Sequence, residues 1–121
     1  MRDRKKLRAF QLADDLALAV YEATRRFPED ERFGLRMQLR RGAVSVASNI
    51  VEGCARSTER DYVHFPGIAF GAACELDYQL SLSARLGFLG DLDSDRLRRH
   101  AAETAKVLNR LIVALRGSRR A

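Results

Sequence analysis

"RRGAVSVASNIVEG", residues 40–53, places Ala43, Val46 and Ile50 three and four residues apart, the repeat of one helical face. Leu35 and Leu39 before it and Cys54 after it continue the repeat at spacings of 4, 4, 3, 4 and 4. A strand would alternate every second residue, and this segment does not. The segment is therefore a helix with a core-facing stripe, predicted over residues 31–55. Its wet side is unusual. At about 100° per residue, Arg41, Ser45, Ser48, Asn49, Glu52 and Arg56 fall within one arc of roughly 100°. Met37, Val44 and Val51, spaced by seven, form a second apolar edge on the other flank.

The same periodicity extends in both directions. Phe10, Ala13, Ala17, Val20, Thr24 and Phe27 repeat at 3, 4, 3, 4 and 3, and Pro28 ends that pattern, which predicts a helix over 8–27. Downstream, Ser57 or Thr58 can cap a third helix over 58–86, with Glu59 and Asp61 favoured in its first turn by the helix dipole. Its stripe reads Phe65, Ala69, Ala72, Leu76, Gln79 or Leu80, Ser83 and Leu86. Gly87 stops it, Asp93 or Ser94 offers the next cap, and Leu97, Ala101, Thr104, Leu108, Leu111 and Leu115 give a fourth helix over 94–116. Short connections force neighbouring helices antiparallel, so the expected fold is all-α, an up-down-up-down four-helix bundle forming one domain over residues 1–121.

Composition agrees with a globular helical protein. Of 121 residues, 46% are hydrophobic and 31% charged, with two Pro, eight Gly and no Trp. No apolar run reaches the roughly 18 residues needed to cross a bilayer, and "MRDRKKLRAF" lacks the apolar core of a signal peptide, so a cytoplasmic protein without membrane contact is expected. Cys54 and Cys74 lack CxxC or Cys/His clustering and read as small buried hydrophobes. His64 and His100 have no companion at metal-ligand spacing, so neither a metal nor a cofactor is expected.

The net charge of +6 is uneven along the chain. Arg2, Arg4, Lys5, Lys6 and Arg8 face only Asp3 at the start, and residues 96–120, Arg116, Arg119 and Arg120 among them, hold eight Lys and Arg against Glu103 alone. These side chains are nucleic-acid candidates, since clustered cations neutralise phosphates. Cations near a helix C-terminus also simply offset the dipole.

For the polar strip two readings stand. Ser and Asn reach a short way from the backbone and suit a sealed helix or subunit contact; Arg41, Asn49 and Arg56 would equally hold a ligand. An antiparallel hairpin about residues 57 and 58 sets Arg41 level with Glu75, and the two are expected to pair as a bidentate ion pair. The Met37, Val44 and Val51 edge is expected to bury against a second subunit. Catalysis is not expected: Ser45 and Ser48 lack a His at a usable spacing, no Gly-rich phosphate loop occurs, and Glu52 with Glu75 is too thin a carboxylate pair.

"VYEATRRFPEDERFGLRMQLRRGAVSVASNIVEGCARST", then "FGAACEL" and "ARLGFL", resembles the four-helix-bundle proteins encoded within 23S rRNA intervening sequences, over roughly residues 8–116. The shared signature is an aromatic–Pro after helix one, "FGL", "QLRRGAVSV", and "SNIVEG" followed by Arg56. The resemblance implies a cytoplasmic helical protein without enzymatic activity, forming a ring-like homo-oligomer, a pentamer. A related branch, the accessory proteins of diversity-generating retroelements, is similar in fold and works with nucleic acid through a basic surface. Arg41, Ser45, Asn49, Glu52, Gly53, Arg56 and Glu75 fall on the family's positions. Two departures are visible: Ala47 where Pro is common, and Pro66 where Leu is common, which would straighten helix two and kink helix three. The expected partners are a second copy of the chain, RNA or DNA, or, as an alternative, a protein bound by a scaffold that touches no nucleic acid.

Overall fold

The computed structural model describes residues 7–120, and the side chains of all of these except 59 and 118–120. Four helices fill it: α1 (Arg8–Ala23), α2 (Leu35–Cys54), α3 (Glu59–Arg85) and α4 (Asp91–Arg120), with a short 3-10 turn at Glu29–Glu31 between the first two. No strand occurs among the described residues. Each helix packs on its neighbours in the chain, and α1 closes the square against α4. The fold is the antiparallel four-helix bundle expected from the periodicity.

The core runs the length of the bundle in two clusters. One joins Leu16, Val20, Phe27, Leu35, Leu39, Leu76, Leu80 and Leu97. The other joins Ala9, Ala13, Val46, Ile50, Ala69, Ala73 and Leu108, toward the end of the bundle where α1 begins, α2 ends and α3 begins. All six positions of the α2 stripe are buried.

Element boundaries differ from the sequence pattern for local reasons. α1 ends at Ala23, four residues before the expected 27. The buried Thr24 hydroxyl donates to Val20 O at 2.8 Å, and the chain then turns Phe27 inward to meet Phe88, ring centroids 5.9 Å apart. α2 begins at Leu35 rather than 31, because Glu31 closes the 3-10 turn and its carboxylate accepts from Leu35 N at 3.2 Å, satisfying one orphan donor. α4 begins at Asp91 rather than 94. Ser94, expected as a cap, is buried inside the helix with its backbone N donating to Gly90 O at 2.9 Å.

The α2–α3 turn is as expected. Thr58 caps α3, its hydroxyl accepting from Asp61 N at 3.2 Å. α3 runs on as one helix through Pro66. At the other end of α3, Gly87 takes φ +82° and Phe88 N donates back to Ser83 O at 2.9 Å, a glycine-dependent stop. Leu86 is consequently 54% exposed, and Leu89, not Leu86, enters the core.

Two expectations about single side chains are corrected. Cys74 is exposed, whereas Cys54 is buried. The α1 stripe is Ala9, Ala13, Leu16 and Val20, with Phe10 and Ala17 half-buried beside it. No helix among the described residues is long and apolar enough to cross a membrane.

Candidate functional site

The polar strip lies along α2 where it borders α3. Arg41, Ser48, Glu52 and Arg56 are exposed, and Ser45 and Asn49 are half-buried. Asn49 Nδ2 donates to Ser45 O at 2.8 Å and to Ser45 Oγ at 3.1 Å, so the middle of the strip ties back onto its own helix. Arg56 pairs with Glu52 one turn earlier and stacks over the Phe65 ring at 4.8 Å. This end of the strip is closed on itself.

The other end is open. Gln38, Arg41, Gly42 and Ser45 of α2 and Ala72, Glu75 and Gln79 of α3 line a groove of about 340 Å³. Arg41 and Glu75 stand on its two walls as the hairpin geometry requires, yet the expected ion pair is not formed: neither side chain has a partner among the described residues. Both are exposed, and at such a position water solvates each charge nearly as well as the other charge would. Gln79 Nε2 instead bridges the helices to Gln38 Oε1 at 3.3 Å, which leaves Gln79 Oε1 buried without a donor. A Gln falling on an apolar stripe was the signal for this bridge. Gln38 and Ala72 carried none.

The topology does for the basic residues what the sequence order hides. Among the described residues, α1 begins and α4 ends at the end of the bundle that carries the α2–α3 turn. There Arg8, Arg60, Arg110 and Arg116 are exposed and form no hydrogen bond, ion pair or ring contact among the described residues. Arg60, with Thr58, Asp61 and His64, lines a further hollow of about 540 Å³. Arg2, Arg4, Lys5 and Lys6 lie outside the described residues, and so do the side chains of Arg119 and Arg120.

At the opposite end some arginines are matched and others, Arg26, Arg36 and Arg99, have no partner among the described residues. Arg25 pairs with Glu22 at 3.3 Å, Arg32 with Glu29 at 3.7 Å and Arg96 with Asp93 at 3.2 Å. Midway along the α3–α4 seam, Arg98 Nε donates to Asp77 Oδ1 at 2.9 Å, and that hydrogen bond raises the guanidinium above its ordinary pKa. Arg40, which the sequence did not single out, donates to Thr24 Oγ1 at 2.9 Å and covers the Tyr21 ring at 4.6 Å, locking α2 to α1.

On the outer flank of α2, Val44 is 41% exposed and Met37 and Val51 are half-buried. His100 Nε2 donates to Leu12 O at 2.9 Å, and His64 packs edge-on to Phe65. Among the described residues no group of three or more His, Cys, Asp or Glu could hold a metal ion.

Fold and surface together define a small antiparallel four-helix-bundle protein. The chain belongs to the family of 23S rRNA-intervening sequence proteins, matching it over residues 5–110. In fold it is similar to the crystal structure of a protein of unknown function from the S23 ribosomal protein family of Bacteroides thetaiotaomicron. The TM-score is 0.77 at 21% identity, and the alignment covers 86% of this chain and 97% of that one. No curated protein matches the chain.

Proposed function

We propose that the protein is a non-enzymatic homo-oligomer, a pentamer, that associates with nucleic acid through the basic end of its bundle. The rRNA for which its family is named is the first substrate to test. One observation supports this above the others: Arg8, Arg60, Arg110 and Arg116 are exposed at one end without a partner among the described residues, whereas the arginines of the opposite end stand among Glu22, Glu29, Asp30, Asp91, Asp93 and Asp95. An arginine left unpaired keeps its full charge for a phosphate. With no base-reading module in the sequence, phosphate contacts would position the strand with little selectivity.

Assembly is supported by the Met37, Val44 and Val51 edge, apolar surface on α2 that a second copy would cover. That edge also favours the second reading, a scaffold that repeats one surface to a protein partner through avidity and touches no nucleic acid. Catalysis has little support: Ser45 Oγ accepts from Asn49 and His100 Nε2 donates to Leu12 O.

Fluorescence anisotropy with single-stranded RNA separates the readings. Removing residues 1–8 and 117–121 and replacing Arg110 and Arg116 with Ala should abolish most of the affinity. Undiminished binding would move the footprint elsewhere, and absent binding by the intact chain would favour the scaffold.

A further inference from the structure

The groove between α2 and α3 has hydrogen-bonding capacity that the fold leaves unused, and it is sorted by wall. On α2, Arg41 has no partner among the described residues. Ser45 Oγ receives Asn49 Nδ2 at 3.1 Å, which leaves its own proton to give. On α3, Glu75 is likewise without a partner among the described residues, while the Gln79 amide nitrogen donates to Gln38 Oε1. One wall donates and the other accepts. Gln79 Oε1 has no exposed surface, so the acceptor that the α3 wall offers to a ligand is Glu75.

Charge narrows the class of ligand. Arg41 and Glu75 cancel, so a phosphate would meet Glu75 and a free cation would meet Arg41. A neutral group with an acceptor edge and a donor edge satisfies both walls. The floor is small: Gly42 has no side chain, and a Cβ there would stand 3.7 Å from Gln79 Oε1 and from Leu76 Cδ1. With Ala72 beside it, this floor suits a flat ring.

We propose that the α2–α3 groove takes a guanine base of a single-stranded nucleic acid, an inference that rests on the nucleic-acid reading above. Guanine's O6 and N7 accept two parallel donors from a guanidinium, the commonest specific base contact, and face Arg41. Its N1–H and N2 amino group present two parallel N–H donors, matching the two oxygens of Glu75. Adenine and cytosine bring one amino group, and uracil one imide N–H, so each leaves an acceptor of the α3 wall unfilled. The polar strip then has a second use. From Arg41 to Arg56 it spans fifteen residues, about 22 Å along the helix, and leads from the groove to the basic end where the strand's phosphates are held.

Anisotropy with uridine strands of about seven nucleotides, within the usual span of a single-strand site, tests it when the central base is G, inosine, C or U. The G strand should bind about tenfold tighter than the all-U strand, within the range of a bidentate base contact. Inosine, lacking the N2 amino group, should lose most of that advantage. Glu75→Gln, which turns an amide donor toward the base, should erase the preference and leave all-U affinity within about twofold, since the phosphate contacts lie elsewhere. Equal affinity for all four strands, or a preference untouched by Glu75→Gln, would overturn the guanine site and leave the basic end standing. Guanosine alone, which has no phosphate, reads the groove independently of that end. Its titration should shift backbone amide resonances within 38–45 and 72–79, and no shift there overturns the site even if strands bind.

Discussion

Two glycines of α2 look alike in sequence and differ in what surrounds them. A Cβ on Gly42 would meet its nearest atoms at 3.7 Å, ordinary contact, so Gly42→Ala should stabilise the protein by about 0.5–1 kcal/mol through helix propensity alone. A Cβ on Gly53 would come within 3.3 Å of both Phe65 Cβ and Pro66 Cδ, atoms fixed to the α3 backbone or ring. The two helices must part to admit it, and Gly53→Ala should cost about 1–2 kcal/mol despite the same propensity gain. Urea unfolding of the two variants checks the opposite signs; shifts of the same sign would mean that the α2–α3 approach is looser than the contacts at Gly53 require. The pair also bears on the groove: Gly42→Ala places a methyl on its floor and should weaken guanosine while strengthening the fold. Thr24 shows the same dependence on surroundings. It is 1% exposed, donates to Val20 O, and accepts from Arg40 Nε at 2.9 Å. Thr24→Val keeps the shape and removes both bonds, for a loss of about 1–2 kcal/mol. Thr24→Ser keeps the bonds and should lose only about 0.8 kcal/mol for the missing methyl, so a lower urea midpoint for Ser than for Val would contradict this account.

Among the elements, α2 was the most legible in sequence and α1 the least, for a physical reason. In α2, the stripe from Leu35 to Cys54 repeats without interruption and the polar strip marks the side opposite to it, so periodicity picks out one core face, and all six of its positions are buried. "AFQLADDLALAV" in α1 offers two overlapping helical stripes built from Ala and Leu, and periodicity cannot rank them. Packing chose the one containing Leu16, which lies at 0% exposure against the core. Leu16→Ala should therefore cost about 2–5 kcal/mol, whereas Leu18→Ala, at a position 67% exposed, should change the urea midpoint little. Comparable losses at the two positions would mean that Leu18 is covered in solution. Two helix ends were hidden for a related reason: Thr24 receives Arg40 Nε and Ser94 reaches Leu80 O, residues that only the folded chain brings near, whereas Glu31 meets Leu35 through a local bond. The groove was half legible. Hairpin geometry put Arg41 and Glu75 level, but whether two exposed charges pair or stay solvated is not written in spacing.

For the whole molecule, charge and assembly act together, and both can be measured on RNA. If Arg8, Arg60, Arg110 and Arg116 neutralise four phosphates, log K should fall with log salt at a slope of about −2.8 per protomer, or about fiftyfold between roughly 50 and 200 mM. Replacing Arg110 and Arg116 with Ala should halve that slope, and an unchanged slope would remove these two from the footprint. An oligomer multiplies the effect, because once one protomer holds a strand the next meets it at high effective concentration. The Met37, Val44 and Val51 edge lies on the flank of α2 away from the groove, and Val44 is exposed enough that a charge there would be solvated in the isolated bundle. At a subunit interface the same charge would be buried without a partner. Val44→Glu should therefore leave the helical circular dichroism and the urea midpoint of the bundle intact while light scattering reports dissociation. The monomer should retain the salt slope of one protomer and the preference for guanosine, yet bind long RNA far more weakly than the assembly. Wild-type protein that scatters as a monomer at micromolar concentration would refute the interface. A Val44→Glu protein that stays assembled would place the interface on another face.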